Sequence, residues 1–196
     1  MSNTFNKISI IDLEATCWED KEKQWRYSEI IEIGCALIDV QKAEIIDNRS
    51  IYVFPTQQVG MPISEYCTKL TGITTNLLMK RGKTLIEAIA ELKKHYPTGK
   101  TWMSWGAYDQ NQLLKECKAK SIEFPFRMGY HVNAKNLFGL VRKDKGKSVG
   151  LAKAMELFDL KFEGRQHSGK DDAYNIARVV CKLLWGMPPV TAEPIE

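Results

Sequence analysis

Residues 7–14, with the sequence KISIIDLE, constrain the fold more than any other stretch of the chain. Residues 8–11 are almost entirely apolar and β-branched, which indicates a strand buried on both faces in the middle of a sheet. Alternate residues of a strand share a face, so the side chains of Asp12 and Glu14 leave the strand end together. Two neighbouring carboxylates repel each other unless a positive charge lies between them. The strand end is therefore a candidate cation site.

The order of the remaining elements predicts an α/β fold. Two strands follow the first at 29–40 and 43–55, joined at hairpin distance, and short strands are expected at 101–105 and from 129. Helices are predicted between and after them, at these ranges: 63–82 in two pieces broken at Thr71-Gly72, 84–96, 108–120, 148–160 and 170–186. Leu113, Leu114 and Cys117 are expected to face the core. This order indicates a mixed sheet, antiparallel in its leading hairpins and parallel later.

Composition supports one folded domain in a reducing compartment. We expect a domain at 1–187 and a flexible, proline-rich tail at 188–196. The five cysteines are odd in number and widely scattered, which is not typical of a disulfide framework or a zinc site. No stretch is apolar enough for a membrane span, so we expect a cytoplasmic protein with no membrane partner. The net charge of +4 is compatible with a polyanionic partner.

Two more acids share the unusual placement of the first pair. Asp109 lies four residues before Leu113, and Asp172 lies four residues before Ile176, so both follow the apolar stripe of their helices. Each has a simpler explanation, since acids in a first helical turn favour the macrodipole and can cap it. The strand-end pair could likewise bind a lysine. Four inward carboxylates together would need several buried cations, and Mg²⁺ prefers such oxygen ligands.

His167 stands five residues before Asp172, on the loop that enters the same helix. An imidazole there could accept a proton from an attacking water. The alternative is an exposed or helix-capping loop histidine.

The segments DLEAT, WGAYD and HSGKDD together resemble the three motifs of the DEDDh exonucleases. Residues 7–185 are similar to the branch of that family with the histone-mRNA and small-RNA 3′-exonucleases. The resemblance implies an RNase H-like exonuclease fold, with a central mixed five-stranded sheet flanked by helices. It also implies two Mg²⁺ ions, replaceable by Mn²⁺, and His167 as general base. The ligands would be Asp12, Glu14, Asp109 and Asp172. The family spacing after the histidine selects Asp172 over Asp171, and the helical stripe selects it independently.

The substrate contacts of the family map onto this sequence less directly than its metal ligands do. The resemblance places Leu13 and Thr16 at the terminal nucleotide, and Thr71 and Ile73 at its base. Trp18 and Trp105 are candidates for stacking on bases. Each has a structural alternative: Leu13 in the core, a simple helix break at Thr71-Gly72, and Trp105 packed on the sheet. The basic stretches 80–83 and 142–147 are candidates for phosphate contacts.

The leading interpretation is a two-metal 3′–5′ exonuclease that releases 5′-nucleoside monophosphates from single-stranded RNA. A 3′–5′ DNA exonuclease is the alternative in the same class, because no residue obviously recognises the 2′-hydroxyl. A non-catalytic nucleic-acid-binding module on the same fold is the alternative in another class. A small-molecule phosphatase or an endonuclease on a related scaffold is a third. Protein partners are not indicated by the sequence.

Overall fold

One mixed sheet runs through the part of the chain that the computed structural model describes, namely residues 6–20, 28–56, 62–142, 149–186 and 190–191. Its strands are β1 Lys7–Ala15, β2 Ile30–Asp39, β3 Glu44–Tyr52, β4 Trp102–Ser104, β5 His131–Asn133 and β6 Val190–Thr191. They lie side by side in the order β5-β4-β1-β2-β3-β6. The β1–β2 and β2–β3 pairs are antiparallel, whereas β1–β4 and β4–β5 are parallel. The predicted mixed sheet of five strands is confirmed.

The sixth strand, β6, was not predicted. It consists of two residues that pair parallel to the start of β3. The rest of the tail predicted at 188–196 lies outside the described residues.

Seven helices are described: α1 Glu65–Thr71, α2 Thr75–Arg81, α3 Leu85–His95, α4 Tyr108–Ala119, α5 Ala134–Arg142, α6 Leu151–Leu157 and α7 Gly169–Trp185. The predicted break between α1 and α2 is confirmed, because Gly72 ends α1 with a φ of 78°, a left-handed conformation that glycine adopts readily. The Thr84 hydroxyl and the Glu87 carboxylate form a capping box at the start of α3.

One predicted core residue of α4 lies at the surface. Leu113 and Cys117 are buried, but Leu114 is 37% exposed. The buried stripe of α4 instead includes Gln112 and Glu116, whose polar groups bind the chain at the entry to β2. A polar side chain that bonds buried backbone can thus replace an apolar one on the inward face.

The sheet is covered on both faces, which confirms the double burial predicted for β1. On one face Ile11 and Leu13 belong to an apolar cluster with Leu113 of α4. On the other face Ile10 belongs to a cluster with Ile176 of α7. No helix of the described part is both long and apolar enough to cross a bilayer.

The first turn of α7 lies directly against the backbone of β2. A Cβ atom on Gly34 of β2 would lie 1.9 Å from the carbonyl carbon of Gly169, so no other residue fits at this contact. A Cβ on Gly169 would in turn lie 3.1 Å from the Asp12 carbonyl oxygen. This close approach brings the start of α7 to the acidic end of β1.

Candidate active site

The acidic end of β1 meets the start of α7. Ligand atoms of Glu14, His167 and Asp172 all lie within 4.8 Å of one another. Oδ2 of Asp172 also accepts a hydrogen bond of 2.8 Å from the His167 N–H. A divalent cation held by the two carboxylates would therefore lie next to the imidazole of His167.

Asp109 joins the site because β4 ends early. The last residue of β1 that pairs with β4 is Ile10, and Leu13 lies three residues further on. The Leu13 N–H instead donates to Oδ1 of Asp109, at 2.9 Å. The nearby Ser104 side chain at the end of β4 lowers the pKa of this carboxyl, against the effect of burial. The first turn of α4 is therefore fixed to the edge of β1.

Burial raises the pKa values of all four carboxyls, and repulsion from neighbouring acids raises those of Asp12, Glu14 and Asp172 further. Burial is the largest cause for Asp12, whose pKa lies well above its usual value, and Asp109 and Asp172 raise it further. Burial and then Asp172 raise the pKa of Glu14 to about 9. The pKa of Asp172 is raised to about 7 and that of Asp109 to about 6, in both cases chiefly by burial. Without a cation the cluster therefore retains protons at neutral pH, and a bound divalent ion would displace them.

Glu32 is a fifth carboxylate at this site, and it was not predicted from the sequence. It lies opposite Glu14 in the β1–β2 register and is almost fully buried. Oε2 accepts the Gly169 N–H at 3.0 Å, and the Ser50 hydroxyl donates to Oε1. Glu32 thus holds the first N–H groups of α7, and its charge raises the pKa of Asp12, Glu14 and Asp172. In the sequence, only its position as a single acid within the apolar run of β2 indicates such a role.

Asp171 and Asp172 have different surroundings. Oδ2 of Asp171 accepts the Arg165 N–H at 2.9 Å, in the loop before α7. Asn175, fully buried in α7, donates to the carbonyl oxygens of Glu163 and Asp171, both at 2.8 Å. The geometry therefore favours Asp172 as the ligand, while Asp171 and Asn175 hold the loop that carries His167.

This loop also reaches α1. The Arg165 guanidinium donates to the carbonyl oxygens of Lys69 and Leu70, at 2.8 and 3.2 Å. His167 itself has a φ of 62°, uncommon for a residue with a side chain, and its ring is exposed. The contacts on both sides keep the loop in this conformation, with the imidazole beside the acids.

A cavity of about 300 Å³ opens beside the cluster. Its lining includes Asp12, His167 and Asp172, together with Trp105 and Phe162. The Trp105 Nε1–H donates to the Val149 carbonyl oxygen at 3.2 Å, which fixes the indole ring in the wall. Trp105 is thus brought to the site, whereas Phe162 was not foreseen because its loop carries no periodic pattern.

The other predicted substrate contacts do not line this cavity. Leu13 is buried in the core on the face opposite Asp12, because its side chain alternates with that of its neighbour. The Thr16 hydroxyl is buried and accepts the Glu29 N–H at 3.0 Å. Thr71 caps the end of α1, and Ile73 packs in a smaller apolar cluster with Leu78. Their contacts with a nucleotide stay predictions.

Three further candidates for nucleic-acid contacts were Trp18 and the two basic stretches. Trp18 is half-buried and is not part of the cavity wall. In the stretch 80–83, Lys83 binds Glu91 and the Arg81 guanidinium lies 5.2 Å from the centre of the Tyr52 ring. Of the stretch 142–147 only Arg142 is described. Tyr108, which was not predicted, is a half-exposed aromatic residue directly before Asp109.

Comparison with protein families matches residues 9–180 to the exonuclease family. The chain is 29% identical over 187 residues to the 3′-5′ exoribonuclease 1 of Rattus norvegicus, covering 92% of this chain and 53% of that protein. It is 27% identical to the 3′-5′ exonuclease Snipper of Drosophila melanogaster, covering 92% and 70% of the two proteins. The chain thus spans about half the length of the rat relative.

Two solved structures are similar over most of the chain. The nuclease domain of 3′hExo, described as a DEDDh family member bound to rAMP, has a TM-score of 0.78 and 29% identity, with 95% of each chain covered. A 3′-exonuclease solved in 3′-end recognition of a histone mRNA stem-loop has a TM-score of 0.74 and 28% identity, covering 94% of this chain and 84% of that one.

Proposed function

Because the chain belongs to the exonuclease family and has its RNase H-like fold, we propose that it is a 3′–5′ exoribonuclease. It would hydrolyse single-stranded RNA stepwise from the 3′ end and release 5′-nucleoside monophosphates. The observation that carries this proposal is the meeting of Asp12, Glu14, Asp109 and Asp172 beside an exposed His167. Binding alone would not require four carboxylates that repel one another, which argues against an inactive binding module.

The donor set fits divalent metal ions. Four carboxylates with raised pKa values gain from a cation that replaces their protons, and hard oxygen ligands favour Mg²⁺, with Mn²⁺ as a substitute. Asp12, Glu14, Asp109 and Asp172 would hold two such ions. When bound, the pair would stabilise the charge on the attacking and leaving oxygens of the phosphodiester.

The side chains of the chain itself supply position and proton transfer. His167 would accept the proton of the attacking water, because its ring is exposed on the rim of the cavity, next to Asp172. The Trp105 ring, fixed in the wall, would pack against the sugar or base of the terminal nucleotide. Leu13 contributes its N–H group, which orients the Asp109 carboxylate.

The preference for RNA over DNA rests on the relatives, two of which are named or described as acting on RNA. DNA exonuclease activity is the second candidate. A base-paired end should be a poor substrate for either activity, since unpairing and unstacking a nucleotide costs a few kcal/mol before any chemistry. A cytoplasmic location also stays a prediction, supported by the five free thiols.

A gel assay with 5′-labelled strands tests the proposal. We expect a ladder that shortens from the 3′ end of single-stranded RNA with Mg²⁺ or Mn²⁺, and no cleavage with EDTA. A 3′-phosphate should slow the reaction, and a blunt duplex should resist it. Faster cleavage of the DNA twin would favour the second candidate, and a single internal cut would indicate an endonuclease. No cleavage of either strand by the wild type would contradict the proposal, and so would a wild-type rate of cleavage by Asp172→Asn.

A further inference from the structure

A second cavity, of about 460 Å³, lies at the opposite end of β1 from the carboxylates. We call it the distal groove; its lining is Lys7, Ile8, Val40, Gly99, Lys100, Thr101, Arg127 and Tyr130. Lys7 begins β1 and Thr101 directly precedes β4, whereas the cavity of the active site includes Asp12 of β1 and Trp105 just after β4. The two cavities therefore lie at opposite ends of the same pair of strands.

The chemistry of the distal groove is that of a site for phosphates. Three of its eight lining residues are cationic and none is acidic. The Arg127 guanidinium lies 4.7 Å from the centre of the Tyr130 ring, so the two planar groups form an exposed platform. Ile8 and Val40 add an apolar surface. A combination of cations, an aromatic ring and apolar surface favours single-stranded nucleic acid, whose backbone is anionic and whose bases stack.

The platform is built on a fixed loop. The Arg127 N–H donates to the Thr98 carbonyl oxygen at 3.0 Å, and the Tyr130 carbonyl oxygen accepts the N–H of Trp102 in β4 at 3.2 Å. These bonds join the loop at 126–130 to the start of β4. A site whose cations are held by backbone bonds loses less conformational entropy on binding than one on a free loop.

Two cations of the groove, Lys7 and Arg127, are not neutralised by ion pairs within the described residues. Asp39 is the register partner of Lys7, but its Oδ1 accepts the N–H groups of Gln41 and Lys42, at 3.0 and 3.1 Å. The charges of Lys7 and Arg127 are therefore available to a ligand.

We propose that the distal groove binds the backbone phosphates of the RNA strand on the 5′ side of the nucleotide held at the active site. The choice of ligand rests on the proposed function. Five residues of β1 separate Lys7 from Asp12, a distance of about 17 Å at about 3.4 Å per residue. Because β1 is covered on both faces, an RNA must follow a longer path over the surface. At about 3.4 Å per stacked nucleotide, a strand must therefore be longer than about five nucleotides to occupy both sites.

The test compares a 4-nucleotide and a 12-nucleotide RNA, in wild type and in Lys7→Ala, Arg127→Ala and the double variant. Counterion release predicts that binding weakens about fivefold in 0.1 M salt for each phosphate that a variant no longer neutralises. We expect the KM of the 12-mer to rise about fivefold in each single variant and about 25-fold in the double variant. The KM of the 4-mer and both kcat values should not change. Lys94→Ala with Lys118→Ala removes the same charge from exposed lysines outside either cavity, and this control should leave the 12-mer KM close to wild type.

Binding of the 12-mer in EDTA, followed by fluorescence anisotropy, separates this inference from the proposed function. An inactive wild type would contradict the function, while weaker binding by the double variant than by the control would still support the groove. Equal effects on both RNA lengths, or in the variants and the control, would overturn the inference. So would a groove that binds 5′-AMP as tightly as the 12-mer, because it would then be a site for single nucleotides.

Discussion

Replacing Glu14 by glutamine should make the metal-free protein more stable, although it removes a proposed ligand. Burial, then Asp172 and Glu32, raise the pKa of Glu14 from 4.5 to about 9. Above pH 4.5 the unfolded chain releases this proton, whereas the folded chain keeps it until about pH 9. The folded state binds more protons over that interval, so its free energy of unfolding falls as the pH rises.

The size of the effect follows from the shift. Between the unfolded-state pKa of 4.5 and pH 7 lie 2.5 pH units. At about 1.36 kcal/mol per unit, the ionisable Glu14 lowers the free energy of unfolding at pH 7 by about 3 kcal/mol. The repulsion between Glu14 and Asp172 belongs to both carboxyls, so a single substitution relieves only part of it. We therefore expect Glu14→Gln to raise the free energy of unfolding by about 1–2 kcal/mol, or the Tm by about 3–6 °C.

Thermal unfolding in EDTA between pH 5 and pH 9 measures this effect. The Tm of the wild type should fall with rising pH more steeply than that of Glu14→Gln, and the two should converge near pH 5. Glu19→Gln replaces an exposed acid in the segment after β1 and should behave like wild type. Added Mg²⁺ should stabilise the wild type more than the variant, and RNA cleavage should be abolished only in Glu14→Gln. A variant that melts below the wild type at pH 8 in EDTA would refute the reasoning.

Four other substitutions test the site. Asp172→Asn should abolish RNA cleavage, because it removes a proposed metal ligand. The cleavage rate of Asp171→Asn should stay within about tenfold of the wild-type rate, because Asp171 only holds the loop. If the gel assay ranks the two variants in the reverse order, Asp171 and not Asp172 is the ligand. His167→Ala should lower kcat about 10²-fold with little change in KM and recover partly at higher pH, so an unchanged kcat would exclude a role as base. Gly34→Ala should lower the free energy of unfolding by about 1–3 kcal/mol and also lower kcat, because α7 must move away from β2. An unchanged Tm and kcat would contradict the close contact.

The acids of the site could be predicted because each lies at a position where the hydrophobic pattern of its strand or helix predicts an apolar residue. Asp12 interrupts the apolar run of a buried strand, and Asp109 and Asp172 follow the apolar stripe of a helix, so sequence periodicity alone marks them as inward. Glu32 gives the same signal within β2, but it is easily mistaken for part of a continuous apolar strand. Its function depends on α7, which starts far along the chain, and no local pattern shows that partner.

The substrate contacts were harder to predict because they depend on which side of the sheet a cavity opens. Leu13 alternates with Asp12 and so faces the opposite core, whatever motif it belongs to. Trp105 and Phe162 meet in one wall only through the packing of β4, α6 and the loop before α7. Contacts of this kind are set by tertiary structure, whereas strand and helix periodicity reports only local burial.

The three-residue length of β4 sets a limit on how this sheet can vary. If β4 continued along β1, its backbone carbonyl would compete with Asp109 for the Leu13 N–H. The carboxylate therefore acts as the terminator of the β1–β4 ladder, and the site occupies the place where the next backbone pairs would form. Insertions can lengthen the loops around the sheet without touching this arrangement, but an extension of β4 by a few residues would close the space in which we propose that the ions and the RNA end bind.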